Sequence, residues 1–136
     1  MSIERAIHEA WGAWKPLTDL VPEDRFVTGI ARFDPDDDTV FPYVTFNRQG
    51  DAAQERTSGG NIAHAALMRF DVYALTQASA KSVADGIVNR FNRLSADYSL
   101  GTLLDCKPTN QNELEEADGV WHVMLDFMIR AGQTSF

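Results

Sequence analysis

The chain has 136 residues, with 12 Lys and Arg against 20 Asp and Glu, for a formal net charge of −8. That length suits a single domain, residues 1–136, which can bury roughly two thirds of the surface of its unfolded form without metals or disulfides. No apolar run approaches the roughly 18 residues of a membrane span, and no positive stripe suits phosphate contact. The opening Met1–Arg5 lacks a signal peptide's apolar core. Membrane association and specific nucleic-acid binding are therefore not expected, and the protein is expected to be cytoplasmic when made.

In chain order, Ser2 to Trp14 reads as a helix: Ile3, Ala6, Ile7, Ala10, Trp11 and Trp14 recur at helical spacing, Ser2 is a plausible cap and Pro16 marks the end. Leu17, Leu20 and Val21 continue into a packed connector closed by Pro22. Arg25 to Phe33 alternates as a first strand. The turn-rich Asp34-Pro35-Asp36-Asp37-Asp38 follows, and then a second strand, Phe41 to Arg48, with Pro42 at its entrance. Gln49 to Asn61, small, polar and carrying three glycines, reads as a long wet loop. Ile62 to Ala74 is a long third strand. A second helix, capped at Thr76 or Ser79, presents Ala80, Val83, Ala84, Ile87, Val88, Phe91 and Leu94 on one face. Leu100 to Leu114 is a fourth strand interrupted at Pro108, and Asp118-Gly119 is a hairpin turn. Val120 to Arg130 is the last strand, with Trp121, Val123, Leu125, Phe127 and Ile129 on its core face. The order α-β-β-β-α-β-β predicts an α+β fold: a mostly antiparallel sheet of about five strands with two helices packed on one face.

Chemistry-bearing residues are sparse. Cys106 is the sole cysteine and lies in a strand, where a buried thiol is expected. His8, His64 and His122 show no metal spacing, although the strand pair could bring His64 and His122 together. The Asp34–Asp38 run lacks the Gly and Glu of a calcium loop, since Thr39 and Thr45 occupy those positions. Ser58-Gly59-Gly60-Asn61 precedes a strand rather than a helix, which argues against a phosphate cradle. No catalytic, cofactor-binding or metal-binding residues are expected. The long loop is instead the candidate assembly segment, through Arg48, Asp51, Glu55, Arg56 and Asn61. Val120, Met124 and Met128 on the second face of the last strand suggest apolar surface left without cover, as at protein interfaces.

Three segments together carry a resemblance. Phe41-Pro42-Tyr43-Val44-Thr45-Phe46 resembles a strand of small phage tail-completion proteins. Arg69 to Ala74 with the following helix looks like their central strand and helix. Asp118 to Phe127, a turn followed by an aromatic and then Leu125-Asp126-Phe127, is similar to their closing hairpin. The resemblance, to the tail-terminator and tail-completion family of long-tailed phages and prophages, implies a structural virion subunit without catalytic residues. It would form a homo-oligomeric ring, commonly a hexamer, at the head-proximal end of the tail tube, between tail-tube and head-connector proteins. The rivals are a head–tail connector and a small-ligand-binding α+β domain, the latter favoured by a polar pocket holding His64 and His122.

Overall fold

The computed structural model describes residues 3–29, 41–56, 62–94, 96–98, 101–115 and 119–133. The chain begins with helix α1 (Ile3–Gly12), followed by the one-turn helix α2 (Lys15–Thr18) and a 3-10 turn at Glu23–Arg25. Strands β1 (Phe26–Thr28), β2 (Tyr43–Arg56) and β3 (Ile62–Ala74) come next, then helix α3 (Gln77–Phe91). Strands β4 (Ala96–Tyr98), β5 (Gly101–Glu115) and β6 (Trp121–Gln133) complete the fold. The strands form one six-stranded sheet in the order β1-β2-β3-β6-β5-β4. The architecture is α+β and mostly antiparallel, with β4 a short strand beyond the expected five.

Four features depart from the sequence-based expectation. Strand β1 ends at Thr28, where Gly29 turns the backbone into the positive-φ region (φ +110°), and residues 30–33 of the expected first strand lie outside the described residues. Beside it, β1 pairs with β2 in parallel, not as a hairpin; the connection across residues 29–42 is long enough for the crossover a parallel pair requires. The Asp34–Asp38 turn lies outside the described residues. The third departure is larger. Gln49 to Arg56, expected as loop, continues β2 and pairs with β3 as far as Arg56↔Ile62. Two irregularities, between Arg48 and Gly50 and between Asp51 and Gln54, let this glycine-bearing polar stretch stay in the ladder. The helix expected to run to Trp14 ends at Gly12, and Pro16 opens α2, whose first turn tolerates its missing N–H.

Elsewhere the local chemistry acts as the pattern predicts. The Thr76 hydroxyl accepts a hydrogen bond from the Ser79 amide (3.1 Å) and so caps α3. Gly119 takes φ +83° before β6, a conformation that favours glycine. β5 absorbs Pro108 through a register shift between Pro108 and Asn110.

Both long helices cover the same face of the sheet. Val83, Ile87 and Phe91 of α3 are buried with Val123, Leu125, Phe127 and Ile129 of β6, and Trp121 packs partly buried against them. From α1, Trp11 stacks on Phe26 at 3.9 Å between ring centroids, and Phe26 stacks in turn on Phe46 at 4.5 Å. Phe70 continues the series at 6.0 Å from Phe46 and meets Phe91 and Phe127 at 5.4 and 5.5 Å. The Trp11 indole donates to the Val21 carbonyl (3.0 Å), which fixes the connector against α1. The α1 helix also neighbours β4 and β5, while His8 meets Phe26 and Phe46 of β1 and β2. The sheet therefore curls around α1.

Phe127 is fully buried at the meeting point of β6, β3 and α3. Phe127→Ala should destabilise the fold by about 3–5 kcal/mol in chemical denaturation. A loss below about 1 kcal/mol would show that the site collapses or is not a filled core position.

Candidate functional site

The sheet face opposite the helices is built by alternate residues of β2, β3 and β6, so its contents follow from register. Arg69 stands across from Asp126 and Tyr73 from His122. The Arg69 guanidinium donates to both Asp126 oxygens, at 2.8 and 3.3 Å. One pair to the side, His122 Nε2 lies 2.7 Å from Asp71 Oδ1, and its ring stacks on Tyr73 at 4.4 Å. Asp126 is only 8% exposed, so its carboxylate depends on the arginine. The hydrogen bond that Arg69 donates to Asp126 raises the Arg69 pKa above its ordinary value; partial desolvation opposes this, and the charges of Asp126 and Asp71 add to it. For a base with a raised folded-state pKa, the stabilisation is fully present below the ordinary arginine range. It is lost only as pH climbs through the raised value, so the arginine's share of this stabilisation does not change across physiological pH.

This face is less bare than the sequence suggested. Val120 is buried, Met124 and Met128 are half-buried, and Tyr43 and Thr45 of β2 are also closed off. The exposed large hydrophobic side chains among the described residues are Leu20 and Leu75. The antiparallel register also separates the two strand histidines. His64 pairs with Ala131 and His122 with Tyr73, which places them about 30 Å apart along the strands. A shared polar pocket around them is thereby excluded. His8, the third, lies 2.9 Å from the Phe26 carbonyl through Nε2 and helps hold α1 to β1.

The candidate assembly residues divide. Arg48 is bound to the fold, donating to both Glu4 oxygens at 3.0 and 3.1 Å and tying β2 to α1. Asp51, Glu55 and Arg56 lie along the far half of β2, in register with Ala66, Ala63 and Ile62. Asn61 is outside the described residues. Among the described residues no group of three or more His, Cys, Asp or Glu side chains could hold a metal ion, and Cys106 is buried. Beyond the end of α3, Asn92, Arg93, Lys107 and Pro108 line a surface hollow of about 370 Å³. No sequence motif marks this hollow, because it joins a helix terminus to a strand edge. The Arg69–Asp126 pair, by contrast, could have been found from opposite charges at facing period-two positions.

The profile of the family described as tail completion protein gp17 matches residues 5–132, nearly the whole chain. The chain belongs to this family. Among solved structures, a chain from the virion of a native gene transfer agent particle has the same fold, with a TM-score of 0.72 at 15% identity. The likeness covers 96% of this chain and 95% of that one. No curated protein sequence matches. For this tail completion protein the match spans α1 through β6, so the paired groups of the open face and the long β2–β3 hairpin both lie within the family's shared extent.

Removing either partner of the Arg69–Asp126 pair strands a charge or its hydrogen-bonding groups. Arg69→Met should cost about 1–3 kcal/mol. Combined with Asp126→Asn it should cost less than the two single changes added together, as a double-mutant cycle in urea would measure. Strict additivity would show that the pair is not coupled.

Proposed function

We propose that this tail completion protein is a tail terminator, a structural subunit that closes the head-proximal end of a phage-type tail tube as a ring of identical subunits, with six as the expected number. Its partners would be the tail-tube protein below and a head-connector protein above, and its final location the virion tail after synthesis in the cytoplasm. The observation that carries this is the family match over residues 5–132, and the fold likeness to a chain of a gene transfer agent virion is consistent with it. The chemistry of the open face agrees. Near its centre ionisable groups are taken up by one another, Arg69 by Asp126 and His122 by Asp71, as suits a surface that packs.

The far half of the β2–β3 hairpin, carrying Asp51, Glu55 and Arg56, is proposed as one assembly contact. Ordered backbone on both strands means that docking there costs less conformational entropy than ordering a free loop would.

Native mass spectrometry and negative-stain microscopy of the purified protein, alone and with tail tubes, test the function. Rings in solution or seated on one end of the tubes are expected. A monomer that binds no tube end would overturn the proposal, and binding to the connector with none to the tube would move the protein to the neck. Asp51→Ala, Glu55→Ala and Arg56→Ala together should change stability by no more than about 0.5 kcal/mol per site while weakening ring formation or tube capping. Capping at the wild-type level would remove the hairpin from the interface.

A further inference from the structure

Most charged groups among the described side chains are matched within the fold, and the exceptions are informative. Every cation whose side chain is described has a partner, apart from Arg93 and Lys107. These two are neighbours, and both are exposed lining residues of the hollow beyond α3. Arg93 follows the helix C-cap Asn92 with φ +61°, where glycine is the usual residue. Its backbone amide is anchored on the Cys106 carbonyl at 2.7 Å, which holds the side chain at the edge of β5. Lys107 lies on β5 beyond the point, Leu103, where pairing with β4 ends.

The acids show the mirror image. Among acids with described side chains, Glu23, Asp24 and Asp85 have no ion-pair partner among the described residues. Asp85 stands alone on α3. Glu23 and Asp24 are adjacent and exposed on the 3-10 turn that leads into β1, at the other end of the sheet from β5 and β4.

We propose that the Arg93–Lys107 hollow of one subunit receives the Glu23–Asp24 turn of the next copy, head to tail. This rests on the ring reading given above and names the contact within it. A junction between two different patches of the same chain is heterologous, and it closes into a ring when the rotation between subunits divides a full turn. Each subunit carries −8, so bringing copies together is opposed by long-range repulsion, and a local pairing of unmatched charges both offsets this and orients the encounter. The contact is solvent-accessible at its rim, so added salt should weaken it.

Charge reversal tests the pairing by sedimentation and native mass spectrometry at low salt. R93E/K107E makes both patches acidic, and E23K/D24K makes both basic. Each should weaken association on the order of a hundredfold, because like charges then face each other. All four substitutions in one chain exchange the signs and should restore the ring, which also shows that the altered residues leave the fold intact. Wild-type association by either double variant would overturn the pairing while leaving the ring reading standing. Failure of the four-substitution protein to recover, with native circular dichroism, would overturn it as well. If a double variant does not fold, the neutral R93Q/K107Q serves instead. It should lose most of the salt dependence of association, and an unchanged salt dependence would overturn the pairing. A wild-type protein that is monomeric at every concentration, alone and with tail tubes, would overturn the ring reading itself.

Discussion

Five aromatic rings in sequence, Trp11, Phe26, Phe46, Phe70 and Phe127, run through the interior from α1 across β1, β2 and β3 to β6, and all are fully buried. The other elements are arranged by this series. β1 contributes only three residues to the sheet, and its place is held by Phe26, clasped between Trp11 and Phe46 with the ring planes within about 11° of parallel. Such pairs contribute about 0.5–1.5 kcal/mol each beyond their buried area. The rings also set how closely α1 approaches the strands, and with it the curl of the sheet. That curl brings one helix near both ends of the strand order, so the two flanks of the sheet are positioned by a single packed core.

Outside that core, a few charge pairs fasten the elements together. The Arg48–Glu4 clamp fastens the helix layer to β2, and the Arg69–Asp126 and His122–Asp71 pairs let charged groups sit on a half-closed sheet face. Partly buried charges without partners would cost several kcal/mol each. With these satisfied internally, the unmatched charges of the described surface fall at the two flanks and on α3. A subunit whose interior needs are met this way can meet its neighbours through its edges without disturbing its own fold.

Much of the fold was legible in the sequence because it rests on periodicity. The limits of β3 were readable to the residue, the buried faces of β6 and α3 followed from spacing of two and of 3.6, and a cap at Thr76 or Ser79 and the turn at Gly119 followed from local residue chemistry. The extension of β2 through Gln49–Arg56 was not legible. Glycine and polar residues carry no alternating signal, and that stretch is held in the ladder by β3 rather than by its own preference. The parallel direction of β1 escaped for a related reason, since a three-residue strand has no pattern from which direction can be read. Of the candidate site, Arg48 was legible as a charge but not as the clamp on Glu4, a partner 44 positions away. The hollow at Arg93 and Lys107 depends on a helix terminus meeting a strand edge, and only the tertiary structure brings these together.

The β3–β6 pairing runs without a break from Ile62↔Gln133 to Ala74↔Trp121, whereas both of its neighbouring ladders contain register shifts. Its hydrogen bonds lie across the strand direction. A pull applied along these strands therefore loads the whole row together in shear, and no single bond can give way first as in the opening of a zipper. The middle of the sheet is the mechanically stiff part of the molecule, and the interrupted ladders on either side are where it can flex.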